Sequence, residues 1–159
     1  CSPESIFSQK KRKKGGNRLA ITLDQARTII SMARDKGREL GLKPLSLAVL
    51  DAGGHLLAFE REDGASPGRF AIAHGKAYGA VMLGMPGSAQ MARAEAQPYF
   101  MAAVNGVYGG QVIPVPGGVL VRDGAGAVVG AVGVTGDTSD NDAAAALAGI
   151  EAAGLTGEA

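Results

Sequence analysis

The segment Phe70-Ala71-Ile72-Ala73-His74-Gly75-Lys76-Ala77-Tyr78-Gly79-Ala80 holds the side chains best suited to chemistry. If it is helical, His74 and Tyr78 lie four residues apart and share a face. Lys76 then points elsewhere. A neutral imidazole is a good ligand for haem iron, and tyrosine serves some haem proteins. The small residues between them let a flat ligand or another backbone come close. Equally, His74 can be a hydrogen-bonded residue under a loop or at a subunit contact. His74, Lys76 and Tyr78 are therefore the candidates for catalysis, with His74 and Tyr78 also candidates for holding a cofactor. As a proton carrier, His74 or Lys76 would suit isomerisation or tautomerisation of a small carboxylated metabolite.

Two glycine-containing junctions could supply backbone donors. Val115-Pro116-Gly117-Gly118-Val119 is a rigid turn whose N–H groups can meet a carboxylate. Gly133-Val134-Thr135-Gly136-Asp137-Thr138-Ser139 leaves a strand and opens a helix, a place where anions find free N–H groups. Plain turn formation and helix capping would account for both without a ligand. His55, opening a strand, reads as half-exposed. The two histidines lack metal-site spacing, and Cys1 is the only cysteine, so neither a zinc site nor an internal disulfide is indicated. The phosphate-binding loop G-x-x-x-x-G-K-[ST] is missing, Gly124-x-Gly126 reads as a turn, and G-x-S-x-G is absent. Nucleotide binding and familiar serine hydrolysis are not indicated.

The elements that must position these residues follow from periodicity. Thr22 and Gln25 have capping-box spacing, and Leu23, Ala26, Ile29, Ile30, Ala33, Gly37 and Leu40 recur at helical intervals. Gly41 and Pro44 end that helix. Leu45–Leu50 and His55–Glu60 read as strands joined by Asp51-Ala52-Gly53-Gly54. A loop leads to a helix over Phe70–Leu83. Ser88 caps a helix through Glu95, and Pro98 opens another through Val104. Val112–Val115, Val119–Arg122 and Ala127–Thr135 read as strands, the last two joined by Asp123-Gly124-Ala125-Gly126. Ser139 caps a final helix over Asp140–Ala153, stopped by Gly154. The order predicts an α+β domain with helices packed on an antiparallel sheet.

Composition sets bounds on partners. The 159 residues fit one domain, and 46% apolar residues suffice for a core, although aromatics are only 4% and tryptophan is absent. A net charge of +1 gives no general pull towards nucleic acid. No apolar run approaches the roughly 20 residues of a transmembrane helix. Residues 1–18 stand apart, with five consecutive cations from Lys10 to Lys14 before Gly15-Gly16. They read as a solvated basic tail ahead of one domain over 19–159, with a nucleic-acid or membrane tether as the alternative. Cys1 reads as a terminal thiol, or as a lipidated mature N-terminus. The expected location is cytoplasmic, or secreted if a signal peptide was removed before Cys1.

An ordered series of motifs resembles the GlcG/HbpS family, which also includes the C-terminal domain of PduO-type proteins. The series comprises Leu23-x-x-Ala26, Val49-x-Asp51-Ala52-Gly53-Gly54-His55-Leu56, Ala73-x-x-Lys76-Ala77 and Val115-Pro116-Gly117-Gly118. It continues with Gly130-Ala131-Val132-Gly133-Val134-Thr135-Gly136, Asp142 and Ala148-Gly149-Ile150. The resemblance covers Leu23 to Gly154. It implies a profilin-like fold with a five-stranded antiparallel sheet and homo-oligomers, from dimers to octamers. It implies haem binding, with haem degradation or haem sensing in some members. On that basis His74 or Tyr78 would lie near the iron. Pro116, Gly117, Gly118, Thr135 and Gly136 would contact the rest of the ligand, a tetrapyrrole or a small carboxylate. Where the family helix commonly continues Lys-Ala-x-Thr, with the Thr near bound haem in some members, this chain has Gly79. A third expectation is an oligomeric scaffold, in which the small residues of Ala71–Ala80 permit close subunit packing.

Overall fold

Helix α1 (Leu23–Glu39) begins as the capping-box spacing predicts: the Thr22 hydroxyl accepts from Gln25 N–H, and the Gln25 side chain accepts from Thr22 N–H, both at 3.0 Å. Its buried stripe is Ala26, Ile29, Ile30, Ala33 and Gly37. The computed structural model describes residues 20–159, so Cys1 and the Lys10–Lys14 run lie outside the described residues. Strands β1 (Ser46–Asp51) and β2 (Leu56–Arg61) form the expected hairpin. Helices α2 (Arg69–Leu83), α3 (Gly87–Ala96) and α4 (Pro98–Val107) follow, then β3 (Gly118–Arg122), β4 (Val128–Thr135), α5 (Ser139–Ala152) and β5 (Thr156–Glu158).

The sheet runs β2-β1-β4-β3-β5 with every neighbouring pair antiparallel. Alternation along the strands sends two sets of side chains to opposite faces. Leu47, Val49, Val119, Val121, Val132 and Val134 pack with α1 and α5. Leu50, Leu120 and Ala131 pack with α2 through Ala77 and Ala80. The larger core therefore lies under α1 and α5, while α2 rests on a face of small side chains.

That second face explains how closely α2 sits. Gly133 pairs with Ala48 on one side and Gly118 on the other, giving a row with almost no side chain. A Cβ on Gly133 would strike the carbonyl of Ala73, and one on Gly118 the carbonyl of Lys76. Backbone lies on backbone there. The small residues Ala73 and Ala77 of α2 serve this contact within the chain.

Three local expectations need correction. Val112–Val115 is not a strand: Ile113 N–H donates to Gly75 C=O, and Val112 N–H donates to the Asn105 side chain at 2.9 Å. The backbone of α2 and a side chain of α4 satisfy this segment instead of a ladder. The fifth strand is Thr156–Glu158, paired with β3. The cap of α5 is Thr138, whose hydroxyl accepts from Asn141 N–H, and Ser88 lies inside α3 instead of capping it.

Candidate functional site

Helical spacing on α2 does bring Phe70, His74 and Tyr78 onto one outward face. The His74 and Tyr78 rings are nearly parallel, 19° apart with centroids at 5.5 Å. Phe70 lies 5.7 Å from His74, and Phe59 of β2 meets Phe70 edge-on at 4.8 Å. Tyr108, just after α4, meets Tyr78 edge-on at 6.1 Å. A five-ring ridge thus runs from β2 across α2. Four of the chain's seven Phe and Tyr residues converge in it, so the low aromatic content does not starve this site.

Beside the ridge is an open cleft of about 340 Å³, lined by Phe70, Ala71, Ile72, His74 and the Gly110–Ile113 segment. Burial holds the His74 pKa below its usual 6.5. Its imidazole is therefore neutral at pH 7 and keeps a lone pair free for a metal ion or a proton.

Lys76 occupies a different environment. It is 3% exposed, and its ammonium donates to Asp142 Oδ2 at 3.1 Å and Val134 C=O at 3.0 Å. Asp142, 1% exposed, accepts from Asp137 N–H through its other oxygen at 2.9 Å. The pair ties α2 to α5 around the end of β4. Burial pulls the Lys76 pKa below its ordinary value, opposed by the Asp142 charge. Placed this way, Lys76 is a structural cation out of reach of a substrate at His74, and the two do not form a common site.

Pro116, Gly117 and Gly118 are buried as well. Gly117 C=O accepts from Val134 N–H, and Gly118 sits in the ladder opposite Gly133. At φ +107°, Gly117 leaves room that a Cβ would take from Lys76 Nζ, only 2.8 Å away. These residues wall the Lys76 ammonium and do not present N–H groups to the His74 cleft. Thr135 is buried, and its hydroxyl accepts from Arg69 Nη1 at 3.0 Å. Gly136 lines a separate pocket with Arg69. The structure therefore joins His74 with Tyr78 and leaves the other predicted site residues apart from them.

Gly79 has a packing explanation. A Cβ there would lie 2.7 Å from Gln90 Oε1 and 2.9 Å from Val112 Cγ1. Gln90 is fully buried and donates to Met85 C=O at 2.8 Å. Its side chain takes the space that a larger residue at 79 would need, so position 79 faces α3 rather than the cleft.

A wider cleft, about 530 Å³, lies at the hairpin-turn end of the sheet and includes Asp51, His55 and Asp123. Its two carboxylates are engaged in turn formation. Asp51 Oδ1 accepts from Gly53 and His55 N–H, and Asp123 Oδ1 accepts from Ala125 and Ala127 N–H, all at 2.9 Å. Among the described residues no three His, Cys, Asp or Glu side chains gather as a metal site. The residues that sequence reading missed are Phe59, Tyr108, Arg69 as an organiser and Phe70 as part of the ridge. Only Phe70 carried a local signal, one helical turn before His74.

Fold and site together define an α+β domain with an aromatic, histidine-bearing helix on its outer layer. Residues 21–151 match the family described as haem degrading protein HbpS-like, and the chain belongs to that family. It is similar to HbpS of Streptomyces reticuli, solved as a double mutant, at 27% identity, 95% and 96% coverage of the two chains and a TM-score of 0.73. The Klebsiella pneumoniae protein ORFY gives 25% identity, 89% and 96% coverage and a TM-score of 0.76. PduOC, solved as a complex with heme, shares the fold at 20% identity, 86% and 97% coverage and a TM-score of 0.76. No functionally curated protein matches the chain in sequence. No helix among the described residues is long and apolar enough to cross a membrane.

Proposed function

We propose that this chain binds haem against the ridge of α2, with His74 as the iron ligand and Tyr78 beside it. The observation that carries the reading is a half-buried, neutral imidazole stacked on Tyr78 and tilted against Phe70 at the edge of an open cleft. A porphyrin is flat and largely apolar, and an aromatic strip with one nitrogen donor suits one of its faces. Family membership and the heme complex of PduOC support the same ligand class. When bound, haem supplies the redox-active iron. The chain's own residues supply a neutral donor, an apolar wall and partial exclusion of water.

A cleft of about 340 Å³ is at the small end for ligand pockets, which span roughly 300–1,000 Å³. A second copy would cover what the ridge leaves open, as a homodimer or a higher assembly up to an octamer. Tyr99 and Val107 on α4 are 72% and 78% exposed and give such a contact an apolar surface. Haem degradation or sensing would act on haem held in this way. The isomerase reading keeps His74 alone as its proton carrier, because the other candidate, Lys76, is locked to Asp142.

Titration of the purified protein with hemin tests the proposal. A saturable Soret shift is expected, and His74→Ala should weaken binding at least tenfold. Absence of a Soret shift would overturn haem binding. Equal binding by His74→Ala would overturn the assignment of the ligand.

A further inference from the structure

A smaller pocket, about 170 Å³, lies between the start of α2 and the end of β4. It is lined by Lys43, Pro44, Gly64, Ala65, Ser66, Arg69 and Gly136. Two of these are cationic and none is acidic. Neither Lys43 nor Arg69 makes a side-chain ion pair among the described residues. The nearby acid, Asp137, is already engaged: its carboxylate accepts from Lys43 N–H, Thr138 N–H and Asn141 Nδ2. Arg69 is fixed in place by its bond to Thr135 Oγ1.

Two further features lie beside the pocket. Helix α2 starts at this pocket with Gly68 as its cap residue, no capping side chain and no acid in its first turn. Its first N–H, that of Arg69, donates to Ser66 C=O at 3.2 Å, while its dipole meets no acidic side chain in the first turn. Independently, Ser46 is fully buried and its hydroxyl has no partner. Ser46 stands directly opposite Thr135 in the β1–β4 ladder, on the face turned towards α2. An orphaned hydroxyl is thus next to the one that Arg69 grips. The Ser46 oxygen is enclosed behind the Arg69–Thr135 contact and is not itself a wall of the pocket.

We propose that this pocket binds a compact oxyanion, a phosphate or a short carboxylate, through Arg69 and Lys43. Charge, size and donor chemistry agree. The volume admits a small anion and excludes a nucleotide or a porphyrin. A planar guanidinium gives paired N–H donors to two oxygens, and the ammonium of Lys43 adds a mobile charge from the rim. The site is separate from the His74 ridge, because Arg69 reaches to β4 while His74 faces outward. Its failure would therefore leave the haem reading untouched.

The test is an amide NMR titration of the 15N-labelled full chain with sodium phosphate, and separately with sodium acetate. Sodium chloride at matched ionic strength is the control. Saturable shifts are expected at Ser46, Arg69, Phe70 and Gly136. The stronger of the two anions identifies the class. Arg69→Gln should weaken binding at least tenfold and Lys43→Gln several-fold. Lys43 is exposed, so its replacement leaves the fold intact even if Arg69→Gln disturbs Thr135. Equal shifts with chloride mean an adventitious ion only and overturn the proposal. So does a Lys43→Gln chain that titrates like the parent.

Discussion

Replacing Lys76 by Met keeps most of the buried stem and removes the ammonium. Asp142 Oδ2 and the Val134 carbonyl then lose their donor, while Asp142 stays 1% exposed. Breaking one side of a buried pair costs about 3–5 kcal/mol, because the surviving charge is left uncompensated. Domains of this kind hold about 5–15 kcal/mol in total, so the loss is a large share. With a urea dependence of about 2 kcal/mol per molar, the unfolding midpoint should fall by about 2 M. Urea denaturation followed by far-UV circular dichroism reads this directly. Asp142→Asn alone should also destabilise the fold, by stranding the ammonium. The double variant Lys76→Met/Asp142→Asn should lose clearly less than the sum of the two, since its remaining buried groups are neutral. A Lys76→Met midpoint within about 0.5 M of the parent would refute the structural role assigned to the pair. Additivity in the double variant would do the same. A catalytic Lys76 predicts the opposite pattern, full stability with lost turnover.

Two further outcomes follow from α2. Gly133→Ala places a methyl group against the Ala73 carbonyl and should cost about 1–3 kcal/mol, whereas Gly124→Ala, with open space around it, should stay within about 0.5 kcal/mol. Equal urea midpoints for the two would contradict the backbone-on-backbone contact. His74 has a native pKa below its unfolded 6.5, so between those values the unfolded chain binds more protons. Stability from this group therefore rises with pH across the window and falls on acidification. Tm measured from pH 7.5 to 5 should show His74→Phe gaining on the parent as pH falls. A constant difference across that range would remove the burial argument.

Much of the scaffold was legible because its signals are local. The Thr22–Gln25 capping box, the Asp51–Gly54 turn and the Asp123–Gly126 turn each lie within a few residues and behave as read. The Val112–Val115 segment misled because its apolar, β-branched residues fit a strand, while the partners that hold it, Gly75 and Asn105, carry no strand signal. Strand β5 was invisible for the converse reason. Thr156-Gly157-Glu158 has little β propensity, and pairing with β3 together with the Arg122–Glu158 contact at 2.7 Å holds it.

The site divides along the same line. His74 and Tyr78 share a face by helical spacing, and the structure keeps them together. Whether Lys76 is free or buried depends on Asp142, 66 residues away, and nothing near Lys76 announces it. Gly117 and Gly118 read as an exposed turn until the ladder places Gly118 against Gly133 beneath α2.

The glycine row under α2 separates two kinds of constraint on one helix. Its inner side is specified by main-chain contact, so Ala73, Lys76 and Ala77 have little freedom to change. Its outer side, with Ala71 and His74, holds no part of that contact. Residues there can be exchanged at small cost to folding, and ligand preference can drift while the scaffold stays fixed. A helix bedded so firmly from below is a mount on which binding chemistry can be rewritten one outward residue at a time.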